Sequence, residues 1–274
     1  MPWWRISHRL RLRGAAFGLR QSLDTLGALL GPLLAVSLML LWANDFRSVF
    51  WMALIPGMLA VFLLLFGVHE PKRHVGRKRT NPIRRENLVR LSGMYWWVVG
   101  IGAAFALARF SEAFLVLRAQ QGGIPVAYVP LVMAGMNMVY SGSAYPFGRL
   151  SDRMNHGTLL SLGLLVLIIA DLILAVNDNW LTVAAGVSLW GLHMGMTQGL
   201  LATMVADAAP IDLRGTAYGF FNLVSGIAML TASAAAGLLW DRFGASVTFY
   251  TGAIFAVLAL MGIVLKNVAT ATTS

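Results

Sequence analysis

Eight long apolar runs separated by short polar connections organise the chain. They cover approximately 15–41, 48–68, 93–117, 126–147, 158–176, 180–206, 215–239 and 246–265. A helix needs about 20 mostly apolar residues to cross a bilayer, so each run predicts one spanning helix. The longest polar stretch, 69–92, is basic, contains Pro71 and Pro82, and has no apolar periodicity, which predicts a linker. Composition agrees: 58% of residues are hydrophobic and 12% charged, whereas a soluble domain carries roughly 25% charged residues. The expected fold class is all-α, a polytopic integral membrane protein with about eight transmembrane helices.

The net charge of +10 raises the question of nucleic acid, and its placement answers it. Alternate connections hold only Arg47, Arg118 and Arg242, and the connection at 177–179 holds no basic residue. On the opposite side lie Arg5, Arg9, Arg11, Arg13, eight Lys/Arg within 69–92, then Arg149, Arg153, Arg214 and Lys266. The positive-inside rule reads this asymmetry as both termini cytoplasmic. The charge is a topology signal with some attraction to anionic lipid, and no nucleic acid partner is expected. The expected location is an integral position in a bacterial inner membrane.

There is no cysteine, so disulfide and thiol chemistry are excluded. The apolar run behind the basic N-terminus is too long for the core of a cleavable signal peptide. His69, Glu70 and His74 have the wrong spacing for a helical zinc motif, and Pro71 disfavours the helix that motif needs. No metal and no cofactor are expected.

The segment LRGAAFG at 12–18 recurs as LRGTAYG at 213–219, and Gln21 aligns with Asn222. Both copies stand at the cytoplasmic entrance of a long helix rich in small residues. Parallel repeats about an axis along the membrane normal occur in secondary transporters. With the basic linker and six helices per half, these paired segments resemble the major facilitator superfamily. GRLSDRMNHG, 148–157, is similar to that family's loop signature between two helices, keeping Gly148, Leu150, Asp152 and Arg153 but losing its basic tail. Gly18, Gly27 and Gly31-Pro32 match the spacing of the family's antiporter signature, although Ala35 and Val36 stand where it ends in two glycines.

The resemblance implies the following division. Residues 1–68 are the last two helices of an N-terminal bundle, 69–92 the cytoplasmic linker, and 93–274 a complete six-helix C-terminal bundle. The family's first four helices then have no counterpart, and they are expected either in a longer product or as a separate partner chain. The implied function is transport of a small molecule by alternating access, with proton-coupled export as the specific expectation. The alternative is a non-transporting fragment or membrane subunit of a split or interrupted transporter. A polytopic enzyme is disfavoured, because no acyltransfer spacing, metal-ligand cluster or phosphate-site motif is visible.

Candidate residues follow from polarity within apolar spans. Asp24 lies roughly 15 Å into its helix at 1.5 Å per residue, where an unpaired carboxylate is costly and marks function. It reads as a proton carrier, or as a static partner of Arg20 one turn below. Glu112 and Arg109, three residues apart, read as an ion pair within one helix or as a proton or substrate site. Asp171 has no basic neighbour on its own helix and is either paired across helices, protonated, or open to water near the outer surface. Gln21, Asn137, His193, Gln198 and Asn222 are candidates for the substrate path, with interhelical hydrogen bonding as the competing role. Gly191, Gly195 and Gly199 around His193 favour tight packing there. Gly18, Gly27, Gly31 and Pro32 suit a helix that packs closely and kinks. The resemblance assigns Gly148, Asp152, Arg153, Arg214 and Gly215 to conformational motifs, Asp152 closing the cytoplasmic face against a helix start.

Overall fold

A computed structural model describes residues 27, 30–31, 33–42, 45–67, 88–151, 154–176 and 179–271. Among them there is no strand. A helical stretch at 33–41 precedes α1 (Phe46–Gly67). Beyond the linker come α2 (Gly93–Ala108), α3 (Ala113–Gln121), a 3-10 turn at Val126–Tyr128, and α4 (Val129–Ser151). They are followed by α5 (His156–Val176), α6 (Trp180–Ala208), α7 (Arg214–Phe243) and α8 (Ala245–Ala271).

The helix starts are set by side chains that accept otherwise unpaired N-terminal amides. Ser92 caps α2 by accepting from the Tyr95 amide at 3.2 Å. Asn155 accepts from Gly157 at 2.8 Å at the head of α5, and Asn179 from Leu181 at 3.1 Å at the head of α6. Asp45 does the same for α1, taking the Arg47 amide on one oxygen and the Ser48 hydroxyl on the other. The Ser48 hydrogen bond, helped by the Arg47 amide, holds the Asp45 carboxyl below its ordinary range. Between α7 and α8 the chain reverses at Gly244, whose φ of +84° an L side chain rarely adopts.

From α2 to α8 the helices form one bundle. The most extensive contacts join α4 to α6, α5 to α6, α5 to α8, and α2 to α7. The core includes Leu160, Leu164 and Leu167 of α5, Trp190 of α6 and Phe249 of α8, all fully buried. The other side of α5, with Leu165, Ile169 and Leu172, is exposed. Helix α1 has no buried residue, although it is apolar throughout. Among the described residues, five segments are long and apolar enough to cross a membrane: Phe46–Gly67, Gly93–Gln121, His156–Val176, Arg214–Phe243 and Ala245–Leu265. With an apolar surface of this extent, the molecule is an all-α integral membrane protein.

Small residues let α4 and α6 approach closely. A Cβ on Gly191 would fall 2.5 Å from the Met136 carbonyl oxygen, and one on Gly195 would fall 2.9 Å from that of Tyr140. Gly199, the third glycine of that series, has nothing within 4 Å and stands open. Close packing therefore belongs to two of the three.

The third apolar run is not one continuous helix. It breaks at Arg109–Glu112, between α2 and α3. The freed backbone finds side-chain partners: the Ser111 amide donates to Ser233 Oγ of α7 at 3.0 Å, and the Ala113 amide to Ser111 Oγ at 3.3 Å. Non-helical backbone at membrane depth persists only where protein or a water-filled cavity satisfies it. Phe110 fixes the break from the other side, its ring 5.8 Å from Trp190 and 5.4 Å from Phe249.

Candidate functional site

The end of α2 and the two helices α6 and α7 border a cavity of about 300 Å³. Its lining joins Arg109 at the end of α2, His193 and Gln198 on α6, and Asn222 on α7. Four residues singled out in three separate parts of the sequence thus share one wall. Phe105 and Phe221 give the cavity its apolar faces, and Ser225 adds a hydroxyl. Close approach of α2 to α7 is possible because residue 102 is glycine; a Cβ there would collide with the Phe221 ring.

Each polar group is held differently. The His193 ring pairs Nδ1 with the Gly163 carbonyl oxygen at 2.8 Å, so Nδ1 is the donor. The same ring stacks on Phe105 with centroids 6.1 Å apart. Tyr140 donates its hydroxyl to Gln198 Oε1 at 3.2 Å, leaving the amide NH2 as the end that can donate. Tyr218 donates to the Ala202 carbonyl oxygen at 2.7 Å and ties α7 to α6. Ser225 Oγ is buried and has no hydrogen-bond partner among the described residues. Arg109 makes no ion pair among them.

Two readings of the sequence are corrected by this geometry. Arg109 and Glu112 do not form an intrahelical ion pair, because the helix ends between them and the chain turns. Glu112 instead stands at the cap position of α3, half-buried and outside the cavity lining. Asp171 is not open to water: it has no exposed surface, and Trp190 Nε1 donates to its Oδ1 at 2.9 Å. Its Oδ2 has no partner among the described residues and lies against Gly252, where a Cβ would come within 2.8 Å. Asp171 thus sits between α5, α6 and α8, apart from the cavity.

Asn137 is half-buried on α4 and does not line the cavity. Gly148 is exposed in the last turn of α4, so the first part of the loop signature is helical. Arg214 and Gly215 are exposed at the start of α7, and Arg214 Nε donates to the Ala206 carbonyl oxygen at 3.1 Å. Gly27 and Gly31 are helical, and a Cβ added to either would meet nothing within 4 Å. Gly18, Arg20, Gln21, Asp24, Pro32, Asp152 and Arg153 lie outside the described residues. Tyr140, Phe221 and Ser225 were not singled out by the sequence; only Tyr218 carried a signal, as part of the repeated LRGTAYG.

A bundle of apolar helices around a polar cavity, with one helix broken at depth, suits a carrier, and comparison with known proteins decides the family. The model of the Major Facilitator Superfamily matches residues 113–272. The chain belongs to the major facilitator superfamily. An uncharacterised MFS-type transporter of Methanocaldococcus jannaschii is 29% identical over 252 residues, covering 90% of this chain and 62% of the relative. An uncharacterised protein of Mycobacterium tuberculosis is 27% identical over 239 residues, covering 84% and 57% respectively. An uncharacterised MFS-type transporter of Bacillus subtilis is 29% identical over 121 residues, 43% of this chain and 28% of the relative. The chain therefore spans less than two thirds of the length of these relatives.

Proposed function

We propose that the protein moves a small molecule across the membrane by alternating access, as a proton-coupled exporter. In this reading 93–274 is the C-terminal bundle, 1–68 supplies the last two helices of the other bundle, and 69–92 links them on the cytoplasmic side. The observation that carries the reading is the shared cavity of Arg109, His193, Gln198 and Asn222, bordered by the break between α2 and α3. Broken helices near the midplane, lining a site between two bundles, are a transporter device. Export and proton coupling rest on the spacing of Gly18, Gly27, Gly31 and Pro32 and on Asp24 within the same run. Both termini are cytoplasmic in this reading, in a bacterial plasma membrane.

The test is a proton-flux measurement on the full-length protein in sealed liposomes carrying an internal pH dye. Substrates from a chemical panel should dissipate an imposed pH gradient, and Asp24→Asn should abolish the response while leaving the protein folded. Substrate movement that is indifferent to the gradient would remove proton coupling; an unchanged Asp24→Asn variant would remove Asp24 from it.

A further inference from the structure

We propose that the cavity at Arg109 is an anion subsite, and that the molecule it takes is a small organic carboxylate or equivalent monoanion with an apolar, ring-bearing body. This rests on the transport reading for its purpose, though the subsite itself is argued from the bundle. An arginine within an apolar span is costly, and such charges are normally paired. Among the described residues Arg109 has no ion pair, and no Asp or Glu lines its cavity. Glu112, three residues on, acts on Arg109 through space but makes no ion pair with it and stands outside that lining.

The helix ends beside Arg109 do not neutralise it. The C-terminus of α2 presents about half a negative charge and the N-terminus of α3 about half a positive one. These opposite ends nearly cancel, so the guanidinium sets the sign of the site. Its fork of donors suits the two oxygens of a carboxylate.

A second observation is independent of the charge. Ser225 Oγ, in the wall of the same cavity, is buried without a partner among the described residues, and a buried hydroxyl left unpaired is costly. Oγ has no open surface in the present rotamer, so a turn about χ1 would bring it to a ligand oxygen. The Gln198 amide, fixed at its oxygen by Tyr140, offers its NH2 group as a further donor. Arg109, Ser225 and Gln198 thus contribute donors, while Phe105 and Phe221 offer ring faces for the apolar part of the ligand.

The experiment measures equilibrium binding to the full-length protein in detergent, where no gradient exists. The probes are benzoate, 1-naphthoate and 9-anthroate, each beside its uncharged amide and its aminomethyl cation. At least one carboxylate should bind about tenfold or more tightly than both counterparts. Arg109→Gln should erase that preference, weakening the carboxylate by roughly 30-fold or more, as for loss of one partner of a buried charged pair; Arg109→Lys should retain part of it. Ser225→Ala should weaken the carboxylate severalfold without lowering the unfolding midpoint, since its hydroxyl has no protein partner among the described residues; this variant serves if Arg109→Gln does not fold. Equal binding of all three classes, or a preference untouched by these substitutions, would overturn the subsite. So would restoration of Arg109→Gln by Asp24→Asn, which would make Arg109 the ion-pair partner of that acid. A protein that binds carboxylates but moves no protons keeps the subsite and loses only the coupling mechanism.

Discussion

At the scale of single residues, the bundle separates two kinds of buried polarity. Arg109 and Ser225 line a cavity and their side chains make no hydrogen bond to described protein groups, whereas Asp171 and Trp190 meet each other inside the packing. The indole bond supplies one oxygen of a carboxyl group that has no water to turn to. Trp190→Phe keeps an aromatic ring beside Phe110 but removes this donor. It should destabilise the protein by about 1–3 kcal/mol, the cost of leaving a buried acceptor unpaired. Thermal unfolding in detergent would show this as a lowered midpoint; an unchanged midpoint would mean that the hydrogen bond contributes nothing to stability. His193 occupies both categories, since its Nδ1 is committed to Gly163 while its ring lines the cavity.

At the scale of elements, α6 is the helix on which packing and cavity meet. Its glycines make a direct comparison possible, because the same added methyl group meets three environments. Gly191→Ala and Gly195→Ala press a Cβ against backbone oxygens of α4 and should each cost about 1–3 kcal/mol through overpacking. Gly199→Ala meets open space and should be neutral or stabilise the helix by up to about 1 kcal/mol. Unfolding midpoints of the three variants, measured side by side, test the α4–α6 contact; equal effects would contradict it. The glycine spacing announced close approach, yet it did not reveal that the third glycine is open, since that depends on where α4 ends its contact. The break between α2 and α3 was equally hidden. Nothing in ALARFSEAF is a strong helix breaker, and the bend is held by Ser233 and an aromatic cluster from three other helices.

At the scale of the whole molecule, the arrangement of charges sets how the protein sits in the bilayer. The 274 residues contain no cysteine, so none of them needs replacing before the test. A single cysteine placed at Thr80, in the linker, should react with a membrane-impermeant maleimide only from the cytoplasmic side. One placed at Asn179, between α5 and α6, should react only from the other side. The reverse pattern would invert the proposed topology. Helix α1, apolar and without a buried residue, presents all its sides to lipid or to other helices.

The sequence by itself determined the membrane class, the approximate positions of the described helices from α1 onward, and the resemblance to the superfamily. Those features depend on run length, on loop charge and on local motifs, all of which are properties of the chain read in order. It also drew attention to Arg109, His193, Gln198 and Asn222, because polar residues stand out against apolar helices. Only the tertiary structure decided that these four share a cavity, that Asp171 is sealed beneath Trp190, and that the third span is broken. The physical reason lies in the solvent: lipid is as apolar as a protein core, so packed and lipid-facing sides of a helix such as α5 carry the same leucines and isoleucines. Without a hydrophobic contrast between its faces, a spanning helix does not announce its neighbours, and contacts between distant polar residues emerge only when the helices are assembled.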